Sequence, residues 1–153
     1  MLKILQWRGI VFWLNCDELL KGLLDGTIDC IVTDHSPHAA EEKDREYIYA
    51  PSGFPGLETS LGILLTDLYH KDKINLHTLI SKMTYEPAKV LGIDAGTLSV
   101  GSRADITIID TDLEWTVDAD NFYTRGSHSP FVGRNLKGRA VATIVHGDLM
   151  KLL

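Results

Sequence analysis

Leu19, Leu20, Leu23 and Leu24 form two apolar pairs four residues apart, with Asp25-Gly26 behind them. That spacing predicts a helix over 17–24 stopped by a glycine. The pattern then changes. Residues 27–33, TIDCIVT, are short, β-branched and apolar towards their end. A strand covered on both faces has this composition, so a parallel sheet is expected. Residues 34–56 carry charge, proline and glycine without an apolar period and read as a loop. Leu57, Leu61, Leu64, Leu65 and Leu68 restore helical spacing over 57–70. Asn75 is placed to cap a helix bearing Leu76, Leu79, Ile80 and Met83. Pro87 fits the first turn of a further short helix that stops at Gly92.

Beyond Gly92 the helical period ends. Gly96, Gly101 and Gly126 punctuate the β-rich runs ADITIID, LEWTV and RAVATIVHG. Gly147-Asp148 is expected to be the two-residue turn of a closing hairpin into LMKLL. The chain therefore divides near residue 95 into an α/β part and an all-β part. A strand from the middle of a parallel sheet, unpaired on both edges, is also expected to leave apolar surface open.

Composition narrows the class. The 153 residues suit one domain. They are 44% hydrophobic and 24% charged, as in ordinary globular proteins. A net charge of −6 argues against nucleic acid or an anionic membrane as partner. Cys16 and Cys30 form no CxxC and read as reduced thiols of a cytoplasmic protein. The opening MLKILQWRGIVFWLN is interrupted by Lys3, Gln6, Arg8 and Asn15 and lacks a small-residue cleavage site. It reads as neither a signal peptide nor a membrane span.

The candidate chemistry lies at TDHSPH, residues 33–38. In parallel α/β sheets, reactive groups sit where strands end. Asp34 stands at such an end, where a carboxylate can bind a metal and carry a proton. His38, beyond the stiffening Pro37, can reach a substrate anion or a metal. His35 is expected to point away. The six letters also fit a plain turn in which Asp34 caps local amides.

The wider context decides between these. TDHSPH, then AAEEK, APSG, GLETSLGILL, EPAKVLGI, GTLSVGSRADITIID and SHSPFVGRNLKGRAVATIVHGDL occur in order. Over about residues 17–153 this resembles the dihydroorotases of the cyclic amidohydrolase group. Allantoinases and dihydropyrimidinases share the Asp-His element. The resemblance implies the C-terminal part of a (β/α)8 TIM barrel, its last strand and helix, followed by part of a β-sandwich. Residues 17–95 are then barrel and 96–153 sandwich. It implies a zinc-dependent hydrolase that interconverts N-carbamoyl-aspartate and dihydroorotate in pyrimidine biosynthesis. Asp34 matches the family's metal ligand and catalytic acid–base. His38 matches a ligand of the substrate carboxylate. Ser52-Gly53 match a loop dipeptide whose backbone contacts substrate, although an aromatic is usual where Ser52 stands.

Other family features are missing. The metal-binding His-x-His occurs nowhere in the 153 residues, and neither does the substrate-contacting Asn-Pro-Pro-Leu-Arg. His70, His77, His128 and His146 read as surface or packed histidines. A hydrolytic zinc needs about three protein ligands plus water, and an eight-fold barrel needs about 200 residues or more. Residues 1–16 depart from the family and are expected to be a non-family or frameshifted leader. The chain is then a truncated portion, inactive alone. The alternatives are a non-catalytic module that binds a partner such as aspartate transcarbamoylase, and a fragment that docks with a separately encoded N-terminal part.

Overall fold

The computed structural model describes residues 16–152. The expected leader, with Trp7, Phe12 and Trp13, lies outside them apart from Cys16. Five helices come first: α1 (Cys16–Asp25), α2 (Ala40–Lys43), α3 (Leu57–Leu64), α4 (Leu76–Met83) and α5 (Tyr85–Leu91). Three strands follow: β1 (Ile106–Thr116), β2 (Asn135–Val145) and β3 (Asp148–Leu152). They form an antiparallel sheet in that order.

The helix signals hold. Gly26 ends α1 at φ +86, and Gly92 ends α5 in the left-handed region at φ +66. Asn75 caps α4, its side chain accepting from the Thr78 amide at 2.8 Å. The helix expected over 57–70 is α3 continued by a π-helical turn, Leu65–Tyr69. There the Thr66 hydroxyl donates to the Gly62 carbonyl at 2.6 Å and accepts from the Lys137 amide at 2.8 Å. The widened turn thus joins the helix to β2.

The strand expected at 27–33 does not form. Residues 29–39 belong to no regular element. A strand needs a neighbour to pair with, and no ladder reaches this segment among the described residues. The Ile31 amide bonds instead to the Lys82 carbonyl of α4 at 2.9 Å, and Lys82 Nζ donates to the Ile28 carbonyl. Ile31 is buried, but Val32 on the other side is 47% exposed. Among the described residues the only sheet is the antiparallel one after residue 105, in the part expected to be all β.

The two runs ADITIID and LEWTV are one strand with an irregularity between Asp110 and Glu114. Asp110 Oδ1 accepts from the amides of Asp112 and Leu113 and closes that bulge. The hairpin turn falls one residue earlier than expected, at His146-Gly147, because Asp148 already pairs with Val145. Both turn residues have positive φ, +53 and +89, as a tight right-twisting hairpin requires.

Two apolar clusters hold the molecule. Leu23, Ile31, Leu64, Leu65, Ile74 and Leu79 pack the helices together. Ile63, Val117 and Leu136 join α3 to the sheet, flanked by Trp115, Phe122 and Phe131. Gly62 makes the second contact possible: a Cβ there would stand 2.8 Å from the Trp115 ring and 3.2 Å from the Gly138 carbonyl oxygen. An ion pair reinforces the seam, with Arg134 donating to both oxygens of Asp67 at 2.7 Å.

Candidate active site

Asp34 sits where the apolar segment ends, in the left-handed region at φ +48. Asp is one of the few residues with a side chain that tolerates this region, and such conformations cluster at functional sites. The kink turns the chain into Ser36-Pro37-His38, which lies against the loop before α3. The Ser36 amide donates to the Phe54 carbonyl at 3.1 Å. Gly53 is buried at φ +127, and an added Cβ would meet the Ser36 carbonyl oxygen at 2.6 Å. Glycine is therefore required twice, by conformation and by space.

The predicted residues converge only in part by side chain. His38, Ser52 and Gly53 are in contact: His38 Nε2 donates to the Ser52 carbonyl at 3.0 Å and stands 3.3 Å from the Cβ position of Gly53. His38 Nδ1 lies 3.5 Å from a Glu42 carboxylate oxygen. Both ring nitrogens thus face protein groups, which makes His38 a brace of the loop. Asp34 directly precedes this turn in the chain and is half-buried.

Three supporting residues carried no role in the sequence reading. His35 Nδ1 accepts from the amides of Gly56 and Leu57 at 3.2 and 3.3 Å, capping the first turn of α3. Lys43 Nζ donates to the carbonyls of Pro51 and Gly53 at 2.9 and 2.8 Å. Gly126 is buried against the opposite side of the turn, where a Cβ would meet Pro37 at 2.9 Å. His35 stood in TDHSPH, Lys43 in the EEK run and Gly126 between β-rich runs, but no spacing revealed these partners.

Glu58 ties the all-β part to this loop. Its Oε1 accepts from the Thr124 amide at 2.9 Å and from the Thr124 hydroxyl at 2.5 Å. Partial burial pushes its carboxyl up, but the two Thr124 hydrogen bonds outweigh it and hold the group below its ordinary value. A groove of about 510 Å³ lies beside Glu58, against Trp115 and Arg139, but none of Asp34, His38, Ser52 and Gly53 lines it.

The donor set does not match a hydrolytic zinc. Among the described residues, no three His, Cys, Asp or Glu side chains converge where an ion could be held. His70, one of the outlying histidines, is committed to structure through the Thr111 carbonyl at 2.7 Å.

The chain is 46% identical over 134 residues to a dihydroorotase of Clostridioides difficile, covering 88% of this chain and 31% of the relative. It is 53% identical over 130 residues to a dihydroorotase of Pelotomaculum thermopropionicum, covering 85% and 30%. It thus spans about a third of the length of the curated relatives it matches. Among solved structures, the L-hydantoinase (dihydropyrimidinase) of Arthrobacter aurescens superposes with a TM-score of 0.82 at 36% identity, covering 90% of this chain and 32% of that one. Dihydropyrimidinase of Brevibacillus agri gives 0.81 at 27% identity, covering 88% and 31%. These likenesses imply a piece of a TIM-barrel-type enzyme, here helices with a small antiparallel sheet. The family model for the amidohydrolase family matches residues 14–150, nearly the whole chain, and with that match the chain belongs to the amidohydrolase family.

Proposed function

We propose that the chain carries the proton-transfer and carboxylate-binding parts of a dihydroorotase-type cyclic amide hydrolase, in a site completed by residues outside these 153. What supports this most is the closure of the Ser52-Gly53 loop around the Asp34–His38 turn. In ring opening, Asp34 takes a proton from the attacking water as its oxygen bonds to the ring carbonyl carbon. The carbon–nitrogen bond breaks and Asp34 returns the proton to the departing nitrogen. The backbone amides near Ser52-Gly53, with the His38 imidazole behind them, receive the carboxylate of dihydroorotate. The zinc implied by the resemblance would need ligands from elsewhere, with Asp34 contributing one carboxylate.

A chimera tests the reading: residues 17–153 replace the matching third of the Clostridioides difficile dihydroorotase. It is expected to hydrolyse dihydroorotate, and Asp34→Asn is expected to lower kcat by about 10² or more. A chimera that folds and binds zinc but turns over nothing overturns the reading. So does an Asp34→Asn form that keeps more than about a hundredth of the activity, since general acid–base catalysis is worth roughly 10²–10⁴.

A further inference from the structure

Three successive main-chain carbonyls, those of Pro51, Ser52 and Gly53, are each held by a side chain from residues 38–43. Lys43 Nζ takes the first and third at 2.9 and 2.8 Å, and His38 Nε2 takes the second at 3.0 Å. No peptide bond among the described residues is cis. In a planar trans peptide the N–H points opposite to the C=O. Drawing these carbonyls towards α2 therefore turns the amides of Ser52, Gly53 and Phe54 the other way. None of those three amides donates a hydrogen bond among the described residues. Successive outward N–H groups of this kind make an anion-binding concavity.

We propose that Lys43 is a positioning residue: its half-buried ammonium grips the carbonyls on either side of Ser52 and so aims the amides of residues 52–54 at a carboxylate. This rests on the proposed function only for the identity of the anion. Lysine suits the task because an ammonium carries three donors and no acceptor, so one side chain can hold two carbonyls at once. Charge-assisted bonds of this type are the stronger ones. Gly53 at φ +127 supplies the backbone turn that lets both carbonyls face one nitrogen. Lys43 itself does not touch the anion.

The test uses the full 153-residue chain, uniformly ¹⁵N-labelled, as wild type, Lys43→Met and Lys43→Arg. Residual dipolar couplings report the directions of the N–H bonds of Ser52, Gly53 and Phe54. In Lys43→Met those three directions are expected to change while the couplings of α3 and β2 stay as in wild type, and Lys43→Arg is expected to restore them. Unchanged directions in Lys43→Met overturn the proposal, whatever the chain binds. A titration with dihydroorotate is read separately. Shifts of these amides in wild type, weakened about tenfold or more in Lys43→Met and recovered in Lys43→Arg, are expected for the loss of a charged hydrogen-bond donor. Altered couplings with no response of wild type to dihydroorotate leave Lys43 as the positioning residue and count against dihydroorotate as the anion. A global loss of dispersed signals in Lys43→Met, not recovered in Lys43→Arg, also overturns the positioning role, because Lys43 would then be needed for folding at large.

Discussion

Gly53→Ala is the sharpest perturbation of the loop that packs on Ser36 and His38. At φ +127 the backbone lies in a region essentially reserved for glycine, which costs a side-chain-bearing residue about 1–3 kcal/mol. The new Cβ would also stand 2.6 Å from the Ser36 carbonyl oxygen and 2.8 Å from Ser36 Cβ. The oxygen is backbone and cannot swing aside, so overpacking adds about 1–3 kcal/mol. The reduced freedom of the unfolded chain returns about 0.4–1 kcal/mol. The net loss is about 1–5 kcal/mol, or at about 2–4 °C per kcal/mol for this size a fall in Tm of about 2–20 °C. Gly26→Ala separates the two terms, because Gly26 has φ +86 and nothing within 4 Å of its Cβ position. It is expected to lose only the conformational part, about 1–2 kcal/mol before the same return. Thermal melts of the two variants beside wild type measure the difference, and hydrogen exchange at the Ser36 amide, bonded to Phe54, localises it. If Gly53→Ala melts no lower than Gly26→Ala, the packing of residues 51–56 onto the Asp34 turn is not as described.

Two further outcomes are expected. His35→Ala removes the acceptor at the start of α3 and is expected to cost about 1 kcal/mol in urea unfolding; His35→Asn, which keeps a capping acceptor, is expected to recover part of it, and equal stability of all three forms would contradict the cap. Acid is expected to weaken the fold through Glu58 and Asp67. For Asp67, burial raises the carboxyl, but the Arg134 and Lys71 hydrogen bonds win and hold it below its ordinary 3.8; Glu58 lies below 4.5 for the reasons given above. A carboxyl depressed by folding stabilises fully above its unfolded value, and that contribution fades as pH falls through the folded one. Melting temperatures of wild type should therefore fall more steeply below about pH 4.5 than those of Asp67→Asn, and a constant difference from pH 7 to pH 3 would refute the ion pair's role.

The helices were legible because their signals are local. Asn75, Gly26 and Gly92 act on amides and carbonyls a few residues away, and the leucines of α3 and α4 set their own period. Even so, Leu57 fits the apolar period and is 61% exposed, since periodicity marks a face without saying whether a neighbour covers it. TIDCIVT reads as a strand for the same reason it fails to be one: its composition is right, but pairing needs a second segment. At the candidate site the TDHSPH letters marked the turn, and the family resemblance marked Ser52-Gly53. The clamp by Lys43 was invisible because its acceptors are carbonyls, which every residue has. The bond from Glu58 to Thr124 spans 66 residues with no spacing rule to reveal it.

That last bond bears on how such chains can recombine. The composition break near residue 95 looks like a natural crossover point between a helical part and a β part. The contacts run across it: Glu58 with Thr124, Gly62 with Trp115, Asp67 with Arg134, Thr66 with Lys137, and Gly126 behind Pro37. An exchange at residue 95 between diverged relatives would keep every element and mismatch the seam beneath the turn at residues 34–38. Inheritance is thus expected to treat 57–67 and 115–137 as one linked block, and substitutions at either side of each pair to travel together.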